Sequence, residues 1–401
     1  MLRATKVRIY PNAEQREMLD RQFGMVRFVW NRALHIMRHR YRFHGQSLSA
    51  KHDLKKLLPI AKRNRRYAWL GEADSMALQQ ALINLDKAFA EFFAGRARFP
   101  RFKSRRGRQS SYHLTGRTSV VKDGVVIPKI PGVIRAKIHR PIEGTLSSIT
   151  LSKSATGKYY ASILMEDGRA PTPKPQVVDP SRVLGVDLGL SDITTESTGR
   201  KTPAPKHLER AQRNLRRKQQ KLARKKRGSK RRAKARLQVA KAHERVANAR
   251  ADFLHKQSRR MVDENQAIVL ETLAVRNMMK NRSLSRAIGG AGWSSLVRMI
   301  EYKAEEAGVH VIRAERFQPS SKTCHGCRHV VAELPLDKRI WTCPECHMAH
   351  DRDINAALNL KRIGITELKA SGLRVSARGG QVRPSESLTA PACEAGKPQA
   401  E

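Results

Sequence analysis

Three features of this chain could do chemistry: acids set in apolar surroundings, four regularly spaced cysteines and an extreme excess of base. Residues 183–189 read Val-Leu-Gly-Val-Asp-Leu-Gly, a short apolar strand that carries Asp187. Residues 267–271 read Ala-Ile-Val-Leu-Glu, a second apolar strand ending in Glu271. In His350-Asp351-Arg352-Asp353-Ile354-Asn355 an acidic pair opens a helix, where the helix dipole favours negative charge. An acid in an apolar strand is costly if buried unpaired and persists where a cation compensates it. Hard carboxylate oxygens suit Mg²⁺, which keeps several waters and meets phosphate directly. Two such ions roughly 3.5–4 Å apart can activate a water and stabilise the leaving oxygen of a phosphodiester. Any one of these acids has a structural explanation; the three together argue for a site.

The cysteines carry a second chemistry. Cys324-x₂-Cys327-x₁₅-Cys343-x₂-Cys346 has the spacing of a four-cysteine zinc ribbon. Four thiolates close a tetrahedron, so one structural Zn²⁺ is expected, with His325, His329, His347 and His350 as neighbours of the site. Cys393 stands alone near the C-terminus. The site just precedes the acidic pair, so zinc-driven folding is expected to position the last carboxylate.

The charge identifies the partner class. Lys and Arg number 80 against 35 acids, for a formal charge of +45. A compact domain with that charge repels itself unless a polyanion neutralises it, and neutralised phosphates release condensed counterions. Nucleic acid is the expected partner. No apolar run reaches the 18 or so residues of a membrane span. Residues 1–10 alternate charged and apolar and lack a signal peptide's apolar stretch, so a cytoplasmic location is expected.

The elements that must hold these groups can be read from pattern. Residues 4–10 alternate as a half-buried strand, and Asn12 with Gln15 resembles a capping box opening a helix. Leu19, Phe23, Val26, Trp30, Leu34 and Met37 then form one apolar helical face, and residues 75–93 form another with Leu78, Leu82, Leu85, Phe89 and Phe92. Core packing accounts for both faces; a DNA-reading helix-turn-helix is the alternative. Residues 96–109 mix base with Phe99, Pro100 and Phe102, so Arg101, Lys103 and Arg105 are candidate nucleic-acid contacts. Residues 118–165 read as short strands broken by turns such as Asp123-Gly124 and Thr156-Gly157. With the first strand they suggest a β-barrel that receives the helices as an insertion.

Residues 169–180 hold four prolines and read as a linker. From 206 to 250 there are 19 Lys or Arg against two acids, divided at Gly228-Ser229 into two helices. A charge run this long and one-sided suits a phosphate-tracking surface, with Arg216, Arg217, Arg224, Arg231 and Arg232 as candidate contacts. Strand acid, distant strand acid and acid at a helix start form the RNase H-like plan, with 84 and 82 residues between successive acids when the last is Asp353.

The whole pattern resembles TnpB, the accessory nuclease of small insertion sequences and a relative of type V CRISPR effectors. The resemblance runs over nearly the whole chain. It rests on Val26-Arg27-Phe28-Val29-Trp30-Asn31, Gly185-Val186-Asp187-Leu188-Gly189, Asp252-Phe253-Leu254-His255-Lys256, Gly292-Trp293 and Glu301-Tyr302-Lys303-Ala304. It continues in Pro319-Ser320-Ser321-Lys322-Thr323-Cys324, Trp341-Thr342-Cys343-Pro344 and Asp351-Arg352-Asp353-Ile354-Asn355-Ala356-Ala357. It implies an α+β multidomain chain: a wedge-like β-barrel over 1–168 with a helical recognition insert at about 12–95, and a linker at 169–181. A RuvC-like nuclease would follow over 182–318 including the basic hairpin 206–250, then a zinc ribbon over 319–349, the last RuvC part over 350–368 and a disordered tail over 369–401. It also implies RNA-guided DNA cleavage, with a guide RNA from the transposon end, target double-stranded DNA as substrate and two catalytic Mg²⁺ ions. Asp353, with Asp187 and Glu271, would be a catalytic metal ligand, and Asp351 a supporting acid. The family often has Glu-Asp after the second apolar strand; here Thr272 follows Glu271. A nuclease-inactive RNA-guided repressor and a DNA-joining transposase are the competing readings.

Overall fold

The computed structural model describes residues 1–105, 109–316, 318–335 and 337–376. Two compact units emerge: Met1–Ala170 with Arg210–Asn248, and Pro171–Glu209 with Ala249–Glu401.

The first unit begins with strand β1 (Leu2–Tyr10) and helix α1 (Ala13–His44). The capping box forms as read: the Asn12 side chain accepts from the Gln15 N–H, and the Gln15 side chain accepts from the Asn12 N–H. All six residues of the expected apolar face, from Leu19 to Met37, are buried. Two helices follow, α2 (Leu57–Arg63) and α3 (Ser75–Phe93), the latter capped by Asp74 and burying Leu78, Leu82 and Leu85. The strands are β2 (Gln109–Leu114), β3 (Ser119–Val121), β4 (Gly124–Val126), β5 (Val133–Lys137), β6 (Thr145–Ser154) and β7 (Tyr159–Glu166). They form a seven-stranded antiparallel sheet in the order β2-β6-β7-β1-β5-β4-β3. Among the described residues no ladder joins its outer strands β2 and β3, so what the hydrogen bonds define is a sheet carrying helices, without a closing seam. Strand β2 was not foreseen, because its Gln-Ser-Ser-Tyr-His-Leu sequence has little apolar alternation.

The second unit starts with β8 (Val177–Val178), β9 (Val183–Asp187), β10 (Asp192–Glu196) and β11 (Lys201–Pro203). The basic stretch follows as two long helices, α4 (Lys206–Ala223) and α5 (Lys230–Glu264), with Gly228 at φ 85° in the turn between them. Strand β12 (Ala267–Leu270) and helices α6 (Val275–Met278), α7 (Ser285–Ala291) and α8 (Trp293–Ala307) lead to β13 (His310–Arg313). Strands β14 (Ile340–Thr342) and β15 (Ala349–Asp351) form a hairpin, then come α9 (Arg352–Ala370) and β16 (Arg374–Val375). The main sheet has the order β11-β10-β9-β12-β13. Its first three strands are antiparallel, and β12 runs parallel to both β9 and β13. This is the RNase H-like arrangement.

Three segments can be placed against the expected domain plan. Residues 210–248 of the basic hairpin group with the first compact unit. The end of the expected linker is structured, since β8 pairs in parallel with β16. Residues 369–370, expected in the tail, end helix α9, and Arg374–Val375 form β16. Cys393 and the rest of the tail lie outside the described residues. Among the described residues no helix is long and apolar enough to cross a membrane.

Candidate active site and metal centre

The parallel pairing of β9 and β12 sets the first two acids side by side. Its last partners are Leu270 and Val186, one residue before Glu271 and Asp187. The Leu188 N–H donates to Glu271 Oε1 at 2.9 Å, which ties the two strand ends together. The third acid arrives on α9. Asp351 is the N-cap and accepts from the N–H groups of Asp353 and Ile354. Asp353 therefore sits in the first turn, and its charge acts on Asp187.

Two glycines let α9 lie close to the sheet. A Cβ on Gly185 would stand 2.0 Å from the Ala357 carbonyl oxygen, and one on Gly364 would stand 2.2 Å from a Val269 methyl. Contacts that short are forbidden, so only glycine admits the helix at this distance.

The electrostatics are those of acids short of a counter-ion. Burial, and then the neighbouring charges of Glu271 and Asp353, push Asp187 well above the ordinary carboxylate range. Burial pushes Glu271 up to about 7, against the downward pull of the Leu188 N–H. Among the described residues no hydrogen-bond donor reaches the Asp187 carboxylate, whereas Asp353 is held by Arg339 Nη1 at 3.2 Å. Asp351 behaves oppositely. Burial raises it, yet the Lys201 ammonium at 2.7 Å and two backbone N–H groups bring it below the usual range. It is a paired capping acid.

Arg339 and Lys201 were not foreseen, because nothing in their local sequence marks them as partners of the acids. Thr272, the departure from the family pattern, donates its hydroxyl to the Ala314 carbonyl at 2.8 Å beyond β13. Other motifs prove to be struts. Trp293 Nε1 donates to the Gly189 carbonyl behind Asp187. Lys303 Nζ donates to the His255 carbonyl at 2.8 Å and to Ser258 Oγ at 2.7 Å, tying α8 to α5.

The four cysteines bring their sulfurs within 4.8 Å of one another. Among the described residues they are the only group of three or more such side chains gathered for a metal ion. A tetrahedral Zn²⁺ with bonds of about 2.3 Å needs sulfur–sulfur edges of about 3.8 Å. The Cys324–Cys346 and Cys327–Cys343 separations are both 3.5 Å, so the donor set fits zinc. The two knuckles repeat one backbone design. Cys324 N–H donates to His329 O and Arg328 N–H to Cys324 O; Cys343 N–H donates to Met348 O and His347 N–H to Cys343 O. Arg328 (φ 72°) and His347 (φ 56°) take the left-handed conformation that each turn requires. Of the neighbouring histidines, His350 is buried and its Nε2 lies 3.0 Å from Cys324 Sγ.

The candidate nucleic-acid residues divide. Trp30 Nε1 donates to the Arg101 carbonyl, Asn31 pairs both ways with the Lys103 backbone, and the Lys103 ammonium lies 3.8 Å from the Trp30 ring. The Trp30-Asn31 motif thus pins the basic loop to α1. Arg105 lines a groove of about 1010 Å³ with Arg21, Arg27, Lys153 and Arg236. Arg216, Arg217, Arg224 and Arg231 are exposed. Arg232 is structural, since its Nη1 donates to the carbonyls of Leu222 and Lys225 and closes the end of α4.

A family described as "Probable transposase" matches residues 162–282, and a "Cas12f1-like, TNB domain" matches 293–360. The protein named "Putative RNA-guided DNA endonuclease" of Streptomyces pristinaespiralis is 40% identical over 385 residues, 95% of this chain and 92% of that one. The chain belongs to the TnpB family. The "Putative RNA-guided DNA endonuclease InsQ" of Escherichia coli K12 is 29% identical over 98% of this TnpB-type chain and 99% of its own length. A solved Cas12f1–sgRNA–target DNA complex contains a chain of the same fold, with TM-score 0.55 at 13% identity, covering 90% of this chain and 98% of that one. A "Helix-turn-helix domain" description matches residues 1–46, where the structure has β1 and one uninterrupted helix α1.

Proposed function

We propose that this TnpB-type protein is an RNA-guided DNA endonuclease. The observation that carries the reading is the convergence of Asp187, Glu271 and Asp353 at one end of a mixed sheet. The names borne by its relatives add the guide RNA and the DNA target. The N-terminal sheet and helices act as the wedge-like and recognition parts. Guide RNA pairs with one DNA strand, while the protein reads a short flanking motif and the shape of the heteroduplex.

The three carboxylates would hold two Mg²⁺ ions. Their hard oxygens, and the absence of any donor on Asp187 among the described residues, fit such ions. When bound, the metal supplies charge stabilisation for an attacking water and a leaving 3′-oxygen. The chain's own part is geometric. β9 and β12 fix two of the acids, α9 aims the third, and Arg339 neutralises Asp353 at its edge. Zn²⁺ on the four cysteines is structural, since four sulfurs leave no position for water. The retained acids favour cleavage over the inactive-repressor reading.

Two measurements test the proposal. Sequencing of co-purifying RNA should recover a transposon-end transcript, and changing that RNA's free 3′ segment should redirect cleavage. Purified protein that cuts a fixed DNA sequence after complete RNase treatment overturns guidance. Replacing exposed Arg216, Arg217, Arg224 and Arg231 together with Gln should weaken nucleic-acid binding and flatten its salt slope without changing which sequence is cut.

A further inference from the structure

The amides of Asn355 and Asn359 are both buried inside α9. Asn355 Oδ1 accepts the His325 N–H at 2.9 Å, and its Nδ2 donates to the Thr323 carbonyl at 2.8 Å. Asn359 Nδ2 donates to the carbonyls of Thr323 at 2.7 Å and Ser320 at 2.8 Å. All these groups lie in the six residues around Cys324, so the two amides clasp the first cysteine knuckle directly. Asn359 Oδ1 is buried with no partner among the described residues. Leaving an amide oxygen unsatisfied is costly, and a leucine there would avoid the cost if the side chain served packing alone. The residue's use is its donor.

The clasp has a mechanical consequence. Asn355 and Asn359 are one helical step of four apart, on one face of α9. Ala357, Lys361 and Gly364 are the positions that meet β9 and β12. At about 100° per residue they lie on the opposite face, and Asp353 is on their side. The two glycines set how close the helix lies, and Leu360 and Leu368 share a core with Val183, Ala267 and Val269; apolar packing of this kind is non-directional, so the amides add the directional hold on the helix's roll near Asp353. A roll of about 15° moves a carboxylate some 6 Å from the axis by about 1.5 Å, enough to spoil a metal ligand.

We propose that Asn355 and Asn359 are positioning residues for the metal-binding carboxylates: they lock the roll of α9 to the folded zinc ribbon and so aim Asp353. This rests on the reading of Asp353 as a metal ligand. Groups that orient ligands from behind typically change metal affinity by about 10–100-fold when removed.

The test uses full-length protein, with Mn²⁺ as the probe for binding without DNA and Mg²⁺ for cleavage. Three variants are compared: Asn355→Ala, Asn359→Leu, and Asn355→Asp, which keeps the acceptor for His325 but loses the donor. Zinc per chain should stay at the wild-type value. Mn²⁺ affinity should fall about 10–100-fold in the first two variants, and the half-saturating Mg²⁺ for cleavage should rise in parallel. Turnover should recover at saturating Mg²⁺, which a merely damaged fold does not do. If Asn355→Ala fails to fold, Asn359→Leu, which preserves packing, carries the test alone. Unchanged Mn²⁺ affinity with zinc retained overturns the clasp. So does zinc loss that tracks Mn²⁺ loss in every variant, since the asparagines would then serve the ribbon's fold. Asp353→Ala separates the two levels: if it binds Mn²⁺ normally, the ligand reading itself fails.

Discussion

The cysteine cluster and the carboxylate cluster are both candidate metal sites, yet they are assembled in opposite ways. The cysteines sit in two copies of one local turn, each closed by the same pair of backbone hydrogen bonds. Their sulfurs are gathered by the chain itself. The carboxylates come from two strands and a helix far apart in sequence, with Asp187 and Glu271 pushed towards the protonated form. A local site can be prepared by turn geometry. A long-range site of like charges is held together by the surrounding fold against its own repulsion, and is completed by a cation.

The sharpest way to break this comparison is to remove a carboxylate. Asp187→Ala, Glu271→Ala or Asp353→Ala should reduce cleavage by about a thousandfold or more, since bound metal supplies several kcal/mol of charge stabilisation. RNA and target binding should remain largely intact, as followed by gel shift beside a cleavage assay. If the Asp353 variant cuts normally while Asp351→Ala is dead, the third ligand has been assigned to the wrong acid.

The corresponding change on the other side is Cys343→Ser. Zinc content and thermal stability should fall together, because a ribbon whose core is Cys324, Leu334, Trp341 and Cys343 has little apolar area without its metal. Cleavage should fall as well, through α9. Zinc-free protein that is well folded and active would remove the structural role of the ribbon.

The difference also explains what the sequence could tell. Cys-x₂-Cys spacing is a local signal, and the strands bearing Asp187 and Glu271 are legible because an acid ends an apolar run. The capping box, the buried face of α1 and the two basic helices were readable for the same reason: each is a pattern within one element. Arg339 on Asp353, Lys201 on Asp351 and the amides on the Cys324 knuckle are contacts across the fold, and no spacing rule encodes them. The strand order of the N-terminal sheet and the grouping of residues 210–248 with the first unit are likewise long-range facts. Arg232 could not be separated from Arg231 by composition, since both are arginines in a basic run and only the end of α4 tells them apart.

A smaller effect tests whether close packing really holds the carboxylate site. Gly185→Ala places a methyl against the Ala357 carbonyl, so α9 must move off β9. Overpacking of this kind costs about 1–3 kcal/mol, which a thermal melt will register. Because the displaced helix carries Asp353, the half-saturating Mg²⁺ should rise as well, while zinc content stays the same. A loss of stability with an unaltered Mg²⁺ requirement would separate α9 packing from ligand placement.

The smallest predicted effect is a pH dependence present at one site and absent from the other. Asp187 and Glu271 have folded-state values raised above those of the unfolded chain. The metal-free fold therefore holds protons that the unfolded chain has already released, so its stability falls as pH rises from the ordinary carboxylate range near about 4 towards about 7. Above the folded values the loss is complete and the curve flattens. Asp351 contributes with the opposite sign: its value is lowered, so its stabilisation is lost as the solution becomes more acid. A divalent cation must displace the protons that Asp187 and Glu271 retain, and each displaced proton weakens binding by at most about tenfold per pH unit below its release. Mn²⁺ affinity measured between pH 5.5 and 8 should therefore climb, and the part of the climb due to Glu271 should end near about 7. Glu271→Gln should flatten the climb, because the amide has no proton to yield. Zinc already bound over the same window should stay in place, because four sulfurs close its coordination and leave no open position. An Mn²⁺ affinity flat from pH 5.5 to 8 in the wild type would mean that the two acids are ionised without the metal, and that the contrast between the sites lies only in how the chain assembles them.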